Sequence, residues 1–229
     1  KARSWCYAID EAHWLVGGAI NNGGVALSWL RDCLNQAHVR QPLTFEDVLA
    51  LAGRAPVGSG GLVCLPFFAG ERSPNWNLNA RAVFFGMSLT HEARHLARAL
   101  LEGMAFRFKS LLAVLTEVGL DVKQIVASGG FTQSELWLQV MADVLGRELS
   151  VPEWGETSAL AAAFWPFLSM GGAASINEIR NWVQFSRVQQ PVPEHAAAYD
   201  RIYPLYTELY QSLTGAFDEV ARLQQEMEM

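Results

Sequence analysis

The sequence predicts an α/β domain. Short β-prone runs alternate with amphipathic helical patterns, most clearly after residue 120. Two strand-to-helix junctions carry adjacent glycines, Gly23-Gly24 and Gly129-Gly130. The chain has 229 residues, 51% of them hydrophobic, which is enough for one sizeable core.

Residues 4–9 and 13–16 are β-prone and separated by Asp10-Glu11, a hairpin pattern. The glycine-rich run GGAINNGG fills 17–24. A helix is expected over 25–35, with Leu27, Leu30 and Leu34 on one face and Trp29 and Cys33 beside them. Thr44 is placed to cap a helix over 45–52, because Asp47 lies three residues on, as in a capping box. Residues 62–65 read as a short buried strand ended by Pro66. The polar loop GERSPNWNLN follows over 70–79, then a strand over 82–85.

The longest helical pattern covers 90–117, with Gly103 its one breaker. A strand over 125–127, a helix over 133–145, a strand over 149–151 and a helix over 157–169 come next, with a short helix over 176–182. Toward the C-terminus, Tyr199, Tyr203, Tyr206, Tyr210, Leu213 and Phe217 recur at steps of three and four, so they share one helical face. Pro204 should kink or restart that helix. Such a stripe is more often packing than a binding surface; its exposed part is open to a homodimer contact or to packing on the domain's own sheet.

Lys and Arg total 17 against 23 Asp and Glu, a net charge of −6 with no long basic run, which argues against duplex nucleic acid or an anionic membrane as partner. Cys6, Cys33 and Cys64 are odd in number and widely spaced, without metal-ligand spacing, so buried free thiols in a reducing cytoplasm are expected. The most apolar stretch, 158–174, contains Pro166 and Gly171-Gly172 and falls short of the ~20 residues of a membrane span. It reads as a buried helix. No signal-peptide pattern opens the chain, and its abrupt start at a strand leads us to expect part of a longer protein.

Glycine lets another group approach the backbone, and a helix start offers free N–H groups with a positive dipole end. The two glycine pairs therefore suit the phosphates or flat base of a nucleotide, although each taken alone is more often a structural turn. Neither is a P-loop or a GxGxxG fingerprint. Ser134, Glu135 and Gln139 follow the second pair and carry groups able to bond a base or ribose.

Five segments carry a resemblance in order: VGGAINNGGVALSWLRD, LPFFAGERSPNW, AVFFGMSLTHEARHLARALLE, ASGGFTQSELWLQVMADVLG and ETSALAAA. Together they resemble the C-terminal half of the FGGY carbohydrate kinases, and most closely the gluconate kinases among them, the latter mainly through AINNGG. In the third segment Ala82, Phe84, Gly86 and Met87 fit the start of the family's second signature. His95, Leu96, Ala99, Leu101 and Glu102 fit its end, while Leu100 departs from the small or β-branched residue usual there.

The resemblance implies a ribonuclease-H-like, actin-like ATPase fold, with residues 1–229 as the C-terminal nucleotide-binding domain and an N-terminal sugar-binding domain outside this sequence. It implies ATP with Mg2+, and a sugar or sugar acid as the second substrate, gluconate favoured over xylulose or another polyol. Gly129 and Gly130 would support adenine and ribose. Ser134 stands where the family often has an Asn that contacts the base. Gly24, with Gly23 beside it, would approach the phosphates, and Ser28 lies on the same helix face. The family's general-base aspartate and Gly-Thr-Ser turn are absent from this sequence; Asp10 sits in a predicted turn and Asp32 closes the WLR motif. No residue here is assigned as catalytic or as a metal ligand, and the fragment alone is expected to be inactive.

Glu71 and Arg72 are expected to form a structural ion pair in their loop. His13, His38, His91, His95 and His195 have no mutual spacing for metal or triad chemistry and are expected in local contacts. Two other readings compete: a non-catalytic actin-like nucleotide-binding domain, and a dehydrogenase-type α/β domain, which the glycine spacing fits worst.

Overall fold

The computed structural model describes residues 3–36, 41–155 and 157–227; His38 and Glu156 lie outside them. Strands β1 (Trp5–Ala8) and β2 (Trp14–Gly17) form the expected antiparallel hairpin, with Trp5 opposite Gly17. Asp10 turns it: its carboxylate accepts from the Ala12 and His13 amides at 2.8 Å. The Ala12 amide, then the His13 ring, hold that carboxyl below its ordinary range.

Helix α1 (Gly24–Asn35) buries Ala26, Leu27 and Leu30. Helix α2 (Phe45–Gly53) starts at a true capping box: Asp47 donates its amide to Thr44 Oγ1 at 3.1 Å, and Thr44 returns its own to Asp47 Oδ2 at 2.8 Å. Such caps contribute about 1 kcal/mol.

Strand β3 (Val63–Leu65) is wholly buried and pairs antiparallel with β4 (Val83–Phe85). Helix α3 (Ala93–Glu117) crosses it, and from Ala97 to Arg107 every side is covered. Gly103 allows that contact, since a Cβ there would fall on the Cys64 carbonyl oxygen. The apparent helix breaker is thus what permits close packing of helix on strand.

Helix α4 (Glu135–Leu145) lies against α3 and ends at Gly146, which takes the left-handed conformation with φ 63°. Strand β5 (Leu149–Pro152) pairs antiparallel with β6 (Phe185–Gln189), with an irregularity at Val151/Pro152. Helix α5 (Thr157–Ser169) separates them along the chain, and α6 (Pro193–Met227) closes it, packing on α4, β3 and α3. No helix among the described residues is long and apolar enough to cross a membrane.

Several expectations change. Residues 125–127 make one parallel bridge, Val126 to Ser150, rather than a strand; Ala127 donates to Ser150 O and Ser150 to Ile125 O, each at 2.9 Å. Strand β6 had no clear alternation to announce it and is set by its pairing with β5. Helix α5 is not a buried helix: only Phe164 is buried, packed with Phe167 against Trp182 of the 3-10 turn Ile176–Trp182. Its alanines offer little area to cover, so hydrophobic composition alone does not bury it.

Helix α6 runs through Pro204 without restarting, because Pro204 lies on the exposed side, where water can take up the freed carbonyl. The tyrosine stripe packs inward. Tyr199 and Tyr206 are buried against Phe106, and Tyr210 meets Phe67 edge-on. Of the cysteines only Cys64 is buried; Cys6 and Cys33 lie on exposed sides of β1 and α1. Burial alone pushes the Cys64 thiol well above its ordinary value.

Candidate functional site

Gly23 and Gly24 open α1 without a side-chain cap, leaving first-turn amides free of side-chain partners. Their position is set by the preceding asparagines. Asn21 Nδ2 donates to Ala69 O at 2.9 Å and Asn22 Nδ2 to Gly70 O at 3.3 Å, while Ala69 donates to Asn22 Oδ1 at 3.1 Å. The two amides tie α1's entry to the loop after β3.

The second glycine pair begins the 3-10 turn Gly130–Gln133. Gly129 has φ 100° and ψ 177°, a conformation that L side chains rarely adopt. Its carbonyl accepts from Thr132 N at 3.1 Å and from Thr132 Oγ1 at 2.8 Å. Gly130 has ordinary backbone angles by comparison, and a Cβ built on it, or on Gly23, Gly24 or Gly129, meets nothing within 4 Å. These glycines face open space, so packing does not explain them.

The fold brings Gly23, Gly24 and Gly130 to one cavity of about 350 Å³. Its other walls are Phe45 at the start of α2, Phe108 of α3, Phe131 of the turn, and Trp137 and Met141 of α4. Phe131 and Phe45 flank Trp137 with ring centroids 6.0 and 6.5 Å away. The size falls within the about 300–1,000 Å³ common for small-molecule sites. An apolar, aromatic-lined slot between two uncapped glycine turns can take a flat ring and offer backbone amides to an anion.

The remaining expected residues are placed differently. Ser28 is half-buried on α1 and is not a wall of the cavity. Ser134 caps α4, its Oγ accepting from Trp137 N at 3.2 Å. Glu135 pairs with Arg187, and Gln139 donates to Asp143 Oδ1 at 2.7 Å and Gln190 O at 3.0 Å. The aromatic walls were not among the residues singled out from sequence. Phe131 sits next to Gly130 and was within reach of that reading, whereas Phe45 and Phe108 arrive only through helix packing.

The signature residues on α3 serve the frame. Glu92 donates its amide to His95 Nδ1 at 3.0 Å, closing the helix start. Glu102, 3% exposed, accepts through Oε1 from Arg98 Nε at 2.8 Å, Tyr199 OH at 2.7 Å and Gly58 N at 2.9 Å. Its Oε2 accepts from Ser59 Oγ at 2.8 Å, and Arg98 Nη2 donates to Tyr199 OH at 2.7 Å. Burial works against the charge on Arg98, but Tyr199 and Glu102 outweigh it and hold the guanidinium above its ordinary value. Burial pushes the Tyr199 hydroxyl strongly up. This network locks α6 and the turn Ser59–Gly61 onto α3.

Glu71 and Arg72 do not pair. Glu71 is 2% exposed and accepts from Asn75 Nδ2 at 2.8 Å, whereas Arg72 points outward over the Trp76 ring at 5.9 Å. The loop turns Glu71 inward and leaves Arg72 at the surface, which separates them. Burial raises Glu71 to about 7, against the opposing influence of Asn75, Arg107 and Tyr210. Arg107, buried over the Phe67 ring at 5.3 Å, is lowered by burial. Three of the described histidines hold local contacts, His13 with Asp10, His91 with Ser88 and His95 with Glu92, whereas His195 reaches Asp143 of α4, 52 residues earlier, so the expectation of a local contact does not hold for it.

Comparison with known proteins agrees with this frame. Residues 5–168 match the FGGY family of carbohydrate kinases, C-terminal domain. A gluconokinase from Bacillus licheniformis is 34% identical over 99% of this chain and 45% of its own length. The crystal structure of gluconate kinase from Lactobacillus acidophilus superposes with a TM-score of 0.88 at 32% identity, over 95% of this chain and 44% of that one. A ligand-bound xylulose kinase from the same organism gives the same values. The chain spans about half the length of the relatives it matches, and it shares the ribonuclease-H-like, actin-like fold of these sugar kinases.

Proposed function

Because this chain belongs to the FGGY family of carbohydrate kinases, as its C-terminal domain, we propose that it is the nucleotide-holding half of an ATP-dependent sugar kinase. Gluconate is the favoured acceptor, and xylulose the nearest alternative. The observation that carries the reading is the cavity itself, which joins Gly23-Gly24 and Gly130 although these are distant in sequence.

In this reading the aromatic walls hold adenine, with Gly129 and Gly130 beside the base and ribose. The free amides at Gly23 and Gly24 face the phosphates, where a helix start favours negative charge. Magnesium enters with ATP as part of the substrate; the walls of the cavity contain no carboxylate to hold it. The aspartate that takes the proton from the sugar hydroxyl belongs to the other half of the full-length protein. Catalysis is then positioning and charge neutralisation around the transferring phosphoryl group, with closure of the two halves excluding water. The setting is cytoplasmic, where ATP is supplied.

Two measurements test this on the full-length protein. A screen of ATP-dependent phosphorylation across gluconate, xylulose and glycerol should single out gluconate. A protein that binds nucleotide but phosphorylates none of them would favour the non-catalytic actin-like reading. Gly130→Val should raise the KM for ATP, because its side chain enters the open slot rather than the protein. Base stacking is worth about 1–3 kcal/mol, so the rise should be about 5- to 150-fold. An unchanged KM would show that the turn is only structural.

A further inference from the structure

The loop after β3 carries the run GERSP and supplies no wall of the nucleotide cavity. Five hydrogen bonds nevertheless fasten it to the segment that delivers Gly23 and Gly24. Three are the bonds of Asn21 and Asn22 to Ala69 and Gly70. The other two are reciprocal: Ala19 N donates to Ser73 Oγ at 3.1 Å, and Ser73 N donates to Ala19 O at 3.0 Å. Asn22 and Ser73 are both buried. Gly18 lets the two segments close up, since a Cβ there would fall 2.6 Å from Ser73 Cβ.

Packing does not fix the two glycines themselves. Both are exposed, and the buried face of α1 begins only at Ala26. Glycine has wide backbone freedom. The amides of this turn therefore keep their direction only as firmly as the residue before them is held. Asn22 is that residue, and its side chain is held through both its nitrogen and its oxygen. Neither Asn22 nor Ser73 is a wall of the cavity, so any influence they have on a nucleotide passes through the turn.

Resting on the nucleotide reading of this cavity, we infer that Asn22 is a positioning residue for the phosphates, with Ser73 supporting it. The loop after β3 acts as a clamp that keeps the Gly23 and Gly24 amides aimed at the phosphate end of the ligand. Backbone donors aimed in advance need no reorganisation when the charge arrives. Hydrogen bonds to an ionised group are also about twice as strong as neutral ones. Loosening the clamp lets the turn lose its direction, and the phosphates lose part of this interaction. The aromatic walls that meet the base stand on α2, α3, α4 and the Gly130 turn, outside the clamp. The clamp thus acts on the phosphates and not on the base.

The test uses the full-length protein and calorimetric affinities for adenosine, ADP and ATP, none of which requires the sugar to be known. Each variant is titrated below its own melting temperature. The parent should bind ATP more tightly than adenosine. In Asn22→Ala, ADP and ATP should weaken by about tenfold or more, while adenosine stays within about twofold of the parent. Ser73→Ala removes one bond of the clamp and should show the same pattern at about 3- to 10-fold; it carries the test if Asn22→Ala does not fold. An ATP-to-adenosine affinity ratio unchanged in the variants overturns the inference. So does a loss shared equally by adenosine, which would mean that these bonds only hold the fold. Either result leaves the nucleotide site standing. A parent that binds adenosine as tightly as ATP overturns the inference as well, because the turn then does not meet the phosphates. Failure of both adenosine and ATP to bind the parent overturns the nucleotide reading and the inference with it.

Discussion

Replacing Glu102 with Gln tests whether the family signature on α3 serves the frame rather than the reaction. Gln keeps the shape. Its oxygen can take the place of Oε1, which accepts from Gly58, Arg98 and Tyr199, and its amide can donate to Ser59 Oγ. Most of the hydrogen bonds therefore survive, and the change isolates the charge. Arg98, 6% exposed, is left with a neutral neighbourhood. Breaking a buried pair by removing one charge costs about 3–5 kcal/mol. For a domain of this size each kcal/mol lowers the melting temperature by about 2–4 °C, so Glu102→Gln should melt about 6–20 °C lower.

Differential scanning calorimetry of the full-length protein measures this, and a double-mutant cycle with Arg98→Met apportions it. The second substitution should restore part of the loss, because no uncompensated charge then remains buried, and the coupling should exceed about 1 kcal/mol. The KM for ATP should stay unchanged, since Glu102 is not a wall of the cavity. A melting temperature within about 2 °C of the parent, or additive single effects, would refute the reasoning.

Glu71 predicts a pH dependence. The folded protein keeps its proton up to about 7, whereas its ordinary value is 4.5. The folded state then binds more protons than the unfolded one between those values, so stability falls as pH rises through the window and levels off above it. The fall is about 3 kcal/mol, and Glu71→Gln should abolish it; urea midpoints at about pH 5 and about pH 8 that shift equally in parent and variant would sink the idea. Gly103→Ala should destabilise by about 1–3 kcal/mol or more, because its methyl falls on the Cys64 carbonyl and β3 is too buried to yield. An unaltered denaturation midpoint would mean that α3 can lift off β3 at no cost.

Local chemistry was legible without the structure. The capping box at Thr44 and Asp47 and the hairpin turned by Asp10 each depend on neighbours within a few residues. The two glycine pairs were visible for the same reason, and five ordered motifs tied them to a family and a fold. The placement of Ser134 as a possible base contact did not foresee its use as a helix cap, although a serine at a helix start favours that role.

Everything that depends on distant residues was decided by the tertiary structure. Phe45 and Phe108 look like core residues of amphipathic helices until packing turns them to the cavity that Gly23, Gly24 and Gly130 open onto. Periodicity says that a face is apolar; it does not say which face meets a neighbour and which lines a void. Glu71 and Arg72 looked like a pair because they are adjacent and opposite in charge, but the loop buries one and exposes the other. Pro204 was expected to kink or restart a helix that runs on unbroken, because the proline lies on the exposed side while Tyr199, Tyr206 and Leu209 around it are buried. Sequence thus determined the turns, caps and family of this chain, since short-range geometry and side-chain type suffice for them. The cavity, its apolar walls and the buried Arg98–Glu102–Tyr199 network exist only where α1, α3, α4 and α6 come together, because burial and charge compensation are properties of surroundings and not of a residue.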